Sequence, residues 1–175
     1  MRLIVLGAAA GGGLPQWNCG CRNCDDARAG RIPAMTQSSV AVSVDGTAWV
    51  VLNASPDIRV QLVALPAMHP PALRGTPVSA VVVTNGDIDH VAGLLTLREK
   101  TAFDVYATQS GLDILESNSV FRVLDPELVR KRRIEPDATF EPVPGLRVTP
   151  FPSPVKSRCS WKTTPSTSRN SAIRR

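Results

Sequence analysis

Residues Val78–Thr84 (VSAVVVT) place five apolar side chains in seven positions and carry no charge. Their β-branched side chains suit an extended backbone. Successive side chains of a strand point to opposite faces, so a run that is apolar on both faces has to be covered on both. That pattern belongs to a buried strand of an α/β protein. The strand empties into Thr84-Asn85-Gly86-Asp87-Ile88-Asp89-His90, and Val91–Glu99 reads as the helix that follows. Loops at the carboxyl ends of such strands are where α/β folds place their sites.

The rest of the chain is organised around this unit. Leu3–Val5 reads as a short strand that stops at the glycine-rich run Gly7–Gly13, whose spacing fits neither a dinucleotide fingerprint nor a phosphate-binding loop. Its glycines let the backbone pass close to another element. Val40, Val42 and Val44 alternate with Ala41 and Ser43 as a half-buried strand. Asp45-Gly46 is a hairpin turn, and Trp49–Leu52 is the returning strand. Ser55 is placed to cap a helix that starts at Pro56, with Ile58, Leu62 and Leu65 on one face. Val105–Ala107 is a further strand, residues 111–133 mix helical and loop character, and Phe140–Val148 is a strand broken by proline.

A length of 175 residues makes one domain the default, and 43% hydrophobic residues with 12 Gly and 15 Pro suit a loop-rich globular protein. No apolar run reaches the ~20 residues of a membrane span, and Met1–Gly13 is too short in apolar residues for a signal peptide. The expectation is a cytoplasmic protein without a transmembrane segment. The formal charge of +5 is unevenly held: beyond Pro154 lie six basic residues and no acidic one, which leaves 14 basic against 15 acidic residues before it. A near-neutral body excludes a basic nucleic-acid face.

Two constellations carry chemistry. Cys19, Cys21 and Cys24 form a C-x-C-x-x-C loop. Thiolates are soft ligands that favour tetrahedral zinc, and Gly20 permits the tight turn between the first two. Three cysteines in six residues are too close together for a disulfide framework. Asp25, Asp26, His69 and, more remotely, Cys159 are candidates for a fourth ligand. The second constellation is Asp87, Asp89 and His90, three potential ligands in four residues. The plainer reading is that Asp87 or Asp89 caps the following helix. Asp57 has a similar alternative at its helix start, and Gln37, Ser38 and Ser39 are read as strand-entry residues with local side-chain-to-backbone bonds.

The spacing of Asn85, Asp87, Asp89 and His90 resembles the His-x-His-x-Asp-His motif of metallo-β-lactamase-fold proteins with its two leading histidines replaced. The chain also holds the cysteine loop behind the glycine run, Thr36-Gln37-Ser38-Ser39, Asn53-Ala54-Ser55-Pro56-Asp57-Ile58-Arg59, and Asp89-His90 leading into Gly93–Glu99. This ordered set resembles the pyrroloquinoline quinone (PQQ) synthesis protein B family over about residues 1–154, a family that lacks those histidines as well. The resemblance implies the first half of an αββα sandwich of two mixed sheets. It implies a structural zinc on Cys19, Cys21 and Cys24, and iron or zinc at Asp87, Asp89 and His90, with Asp89 and His90 as catalytic residues. It further implies a metal-dependent oxidation of a precursor derived from glutamate and tyrosine. An alternative is a non-catalytic carrier that assists transport of PQQ or its precursor to the periplasm. A homodimer is left open.

Residues 155–175 differ in composition, being rich in Ser, Thr, Arg and Lys without helical or strand period. The expectation is a basic tail produced by a change of reading frame. One permitted set of codons for Lys156–Asn170, read after dropping two bases, gives an alternating strand and an acidic loop instead. The expectation is therefore a truncated chain, without the second half of the sandwich and impaired in function.

Overall fold

The computed structural model describes residues 1–153; the basic segment 155–175, Cys159 and the altered-frame reading lie outside the described residues. Its main sheet runs in the order β1 (Arg2–Gly7), β2 (Ser39–Ser43), β3 (Trp49–Leu52), β4 (Val78–Val82), β5 (Phe103–Ala107), β6 (Val129–Arg133). The first three strands are antiparallel, while β3 through β6 are parallel neighbours. The valine-rich strand therefore sits inside the sheet, as its sequence requires. Val81 is fully buried on one face, and Ala80 and Val82 are buried on the other.

Among the described residues four α-helices accompany the sheet: α1 (Arg22–Arg28), α2 (Ile58–Val63), α3 (Ile88–Val91) and α4 (Gln109–Ser117). Ile58, Leu94, Leu112 and Leu115 pack with Trp49, Val51, Val81 and Val105 on one face. The opposite face meets the hairpin of β7 (Phe140–Val143) and β8 (Leu146–Val148), where Val143 and Leu146 join Val50, Ala80 and Val82. Phe140 stacks on Tyr106 with ring centroids 5.0 Å apart. The result is a helix layer, a six-stranded mixed sheet and the beginning of a second sheet, the α/β architecture expected for the first part of the sandwich. On β1, Leu3 and Val5 share the hairpin face with Val42 and Val40 yet stay 61% and 59% exposed, beyond the reach of β7 and β8.

Several local expectations change. Ser55 does not cap a helix: α2 begins at Ile58, and the fully buried Ser55 hydroxyl bonds Gln61 Oε1 at 3.2 Å. The helix expected over Val91–Glu99 is one α-turn, α3, followed by a 3₁₀ turn over Ala92–Leu95. Gly93 lies against Ala54 and Ser55 there and draws the turn tight. The proline-broken strand is a hairpin, turning at Gly145 with φ 81°. Val129–Arg133, with four basic residues in five, is a strand because Asp104 on β5 accepts from Arg130 Nε at 2.7 Å and Arg132 Nε at 3.2 Å. Charged side chains also suit a sheet edge, where they oppose pairing with another chain.

Candidate metal centres

The cysteine loop is built from its own segment. Cys21 sits at the N-cap position of α1, and its carbonyl accepts from Asp25 N at 2.9 Å. Arg28, at the far end of the helix, reaches back to donate to Gln16 O at 2.7 Å and Cys19 O at 2.6 Å, and pairs with Asp25 at 2.9 Å. This tie fixes the loop on the helix, and it was not foreseen from the sequence. The three sulfurs lie within 4.8 Å of one another, with Cys24 buried and Cys21 exposed. Backbone hydrogen bonding from Cys24, aided by the Cys19 and Cys24 side chains, holds the Cys21 thiol below its ordinary value. For Cys24 a backbone hydrogen bond from Gln16 pulls down, but burial and the two neighbouring sulfurs outweigh it and push the thiol up. Three sulfurs gathered this closely are chemically suited to a thiophilic cation. With Zn–S bonds of ~2.3 Å, a small inward movement brings all three onto one ion. Of the candidate fourth ligands, Asp25 is paired with Arg28, Asp26 with Arg31 and Arg22, and His69 Nε2 lies 3.0 Å from Val63 O.

The second cluster depends on distant segments. Asn53, buried and in the left-handed region with φ 63°, accepts at Oδ1 from both the backbone N and the hydroxyl of Thr84, each at 3.0 Å. Its own N donates to Val82 O at 2.9 Å, and its carbonyl accepts from Ser39 Oγ at 2.7 Å. Asn53 therefore ties the ends of β2, β3 and β4 together and aims the loop that follows Thr84. Two further bonds clamp that loop: Ala54 N donates to His90 O and Gly93 N to Ala54 O, both at 2.8 Å. A Cβ at Gly93 would overlap the Ser55 carbonyl oxygen, so only glycine allows this approach.

Within the loop, Asn85 Oδ1 accepts from Asp87 N at 2.8 Å. Asp87 occupies the N-cap position of α3 but its side chain makes no capping bond, so the plain capping role does not use its carboxylate. Asp89 Oδ1 lies 3.1 Å from His90 Nδ1. A carboxylate only accepts, so His90 Nδ1 is the donor in this bond, and in the neutral ring that tautomer carries its lone pair on Nε2. Asp87, Asp89 and His90 offer ligand atoms within 4.8 Å of one another, none fully exposed. Carboxylate and imidazole donors at that separation fit one divalent ion. Asp87 and Asp89 border an open cleft of about 830 Å³, with Gly11, Gly12, Gln37 and Ile114 on its other walls.

Asp57 joins this region differently from the expectation. Its side chain makes no helix-capping bond; Oδ2 accepts from Gln37 N at 2.9 Å and so holds the cleft wall. Ser39 makes a long-range bond rather than a local one. Gln61, buried on α2 and missed in the sequence, donates to Thr36 Oγ1 at 3.0 Å and Gln37 O at 2.8 Å. A glutamine at an apolar helical position was the only available signal.

Residues 48–173 match the family described as beta-lactamase superfamily domain, and the chain belongs to that family. The nearer likeness is to coenzyme PQQ synthesis protein B. Identity is 54% over 156 residues to that protein of Ruegeria pomeroyi and 57% over 159 residues to that of Methylobacterium sp. strain 4-46. Each match covers 89% of this chain and 53% of the relative, so the chain spans about half the length of the curated relatives it matches. The crystal structure of Zn²⁺-bound PqqB from Methylobacterium extorquens superposes with a TM-score of 0.86 at 55% identity, covering 88% of this chain and 56% of that one. Among the described residues no helix is long and apolar enough to cross a membrane.

Proposed function

We propose that this chain belongs to the PQQ biosynthetic pathway and carries two metal centres, a structural zinc on Cys19, Cys21 and Cys24 and a reactive zinc or iron at Asp87, Asp89 and His90. The substrate is the peptide-derived glutamate–tyrosine precursor of the cofactor, and the reaction is its oxidation. The observation that carries this reading is the 54–57% identity to PQQ synthesis protein B across 89% of the chain. Two compact ligand clusters support it.

The metal, when bound, supplies a Lewis acid or redox partner in the cleft. The chain's own residues prepare the site for it. Asp89 holds the His90 Nδ1 proton, which fixes the ring orientation and presents Nε2 as a ligand. Asp87 keeps a carboxylate free of the helix start, and Asn53 fixes the loop that carries all three. Asp57 anchors Gln37 at the wall, where a substrate in the cleft would meet it.

Metal analysis and oxygen uptake test the reading. Purified chain is expected to hold about one equivalent of zinc that Cys21→Ser loses. A second divalent metal should be lost in His90→Ala. Any consumption of precursor by the iron-loaded protein should be accompanied by oxygen uptake and should depend on His90. Precursor binding without oxygen uptake would instead establish the carrier role, and pathway function unaffected by His90→Ala would remove the second centre from the account.

A further inference from the structure

The glycine run Gly7–Gly13 was singled out in the sequence for close backbone approach, and its members are glycine for different reasons. Gly12 and Gly13 have φ of 133° and 74°, conformations that other residues adopt only with strain. Gly11 has no such requirement. Its restriction comes from a neighbour: a Cβ there would lie 3.0 Å from Asp89 Oδ2 and 3.1 Å from Asp89 Cγ. That is inside ordinary van der Waals contact. Asp89 Oδ1 is engaged with His90 Nδ1, so the oxygen facing Gly11 is the one His90 leaves free. Gly11 and Asp89 line the same cleft.

The loop cannot simply move aside. Gly13 N donates to Ala10 O at 2.9 Å, Leu14 and Met35 exchange backbone bonds at 2.8 and 2.7 Å, and Ala9 N donates to Thr36 O at 3.0 Å. A side chain at position 11 would therefore meet a fixed loop on one side and a rotatable carboxylate on the other. The carboxylate is the softer of the two and yields.

We infer that Gly11 is a positioning residue for the Asp87–Asp89–His90 centre: its missing side chain leaves the space in which the Asp89 carboxylate is held against His90. The inference rests on the metal-centre reading given above. It separates two effects that usually travel together. Because the Gly11 backbone lies outside the left-handed region and the nearest atoms an added Cβ would meet all belong to the Asp89 side chain, Gly11→Ala should leave the fold intact while displacing a ligand.

The test is a Mn²⁺ titration of the full chain, Gly11→Ala, Gly11→Ser and Asp89→Asn, with free Mn²⁺ followed by electron paramagnetic resonance. Mn²⁺ prefers carboxylate and imidazole over thiolate, so it reports this centre and not the cysteines. Both Gly11 variants are expected to bind about 10–100-fold more weakly, with the parent's melting temperature and cysteine-bound zinc content. Binding as tight as the parent's in the Gly11 variants, with Asp89→Asn defective, overturns the inference alone. A melting temperature that falls along with affinity also overturns it, by assigning Gly11 to folding. Equal Mn²⁺ binding by the parent and Asp89→Asn removes the metal-centre reading itself, and the inference with it.

Discussion

Cys19, Cys21 and Cys24 lie in one loop-and-helix segment braced by Arg28, nine residues from the nearest of the carbonyls it holds. Asp87, Asp89 and His90 are equally close in sequence, yet their loop is aimed by Asn53 and Ala54, more than 30 residues earlier, and walled by Gly11. Two clusters of similar span therefore depend on different parts of the molecule. The cysteine cluster can be assembled by local chain alone, whereas the acidic one exists only when three strand ends are already in register. Damage to the sheet should empty the second and spare the first.

The largest effect is expected at Gly93. An added Cβ would overlap the Ser55 carbonyl, and both partners are backbone, so neither yields cheaply. Gly93→Ala should destabilise the chain by about 3 kcal/mol, as overpacked sites do, and abolish metal binding at Asp87, Asp89 and His90. Denaturant unfolding with metal analysis of the folded fraction checks this. If zinc leaves the cysteines in parallel, the two centres are not independent.

Asn53 comes next. Asn53→Ala leaves the Thr84 N–H and hydroxyl without their acceptor and keeps a non-glycine residue at φ 63°. A cost of about 2 kcal/mol follows from the lost acceptor. Asn53→Gly relieves the backbone but not the acceptor, and Asn53→Asp restores the acceptor. Metal affinity at the second centre should follow the acceptor, recovering in Asn53→Asp and not in Asn53→Gly, which calorimetric titration distinguishes.

Arg28 should show the converse. Its side chain is partly exposed, so Arg28→Ala should change global stability by less than about 1 kcal/mol. Removing its bonds to Gln16 O and Cys19 O should loosen the loop and weaken zinc binding by about tenfold, with the second centre unaffected. Competition with a zinc chelator measures the loss; a variant that holds zinc like the parent would show that the loop needs no brace.

The same contrast explains what was legible in the sequence. The buried valine strand, the Asp45-Gly46 turn and the cysteine loop each announce themselves within ten residues, because their determinants are local. The charged strand Val129–Arg133 does not, since Arg130 and Arg132 become strand residues only when Asp104 lies beside them. Nor does Ser55, whose expected capping role yields to a buried partner, Gln61, supplied by the folded helix. The members of the second cluster stand side by side in the sequence, but the contacts that Asn53, Gly93 and Gly11 make with their loop do not show there. Their roles are distances to residues far along the chain.

The smallest effect is expected in a local element remote from either cluster in the bonds it makes. Asp45 accepts from Thr47 N at 2.8 Å, Thr47 Oγ1 at 2.6 Å and Ala48 N at 3.1 Å. The Thr47 hydroxyl, then the Thr47 and Ala48 backbone N–H groups, hold its carboxyl well below the ordinary value of 3.8. A carboxylate whose pKa is depressed by folding contributes stability above its unfolded pKa, and that contribution drains away as pH falls toward the folded value. Asp45→Asn removes the titrating group. The melting-temperature difference between parent and variant should therefore be constant above about pH 5 and shrink steadily below about pH 4. Metal binding at both centres should stay unchanged, because the bonds of the turn all lie within residues 43–49. A difference that grows on acidification would reverse the sign of the linkage, and a loss of metal at either centre would show that even this turn is coupled to the strand ends.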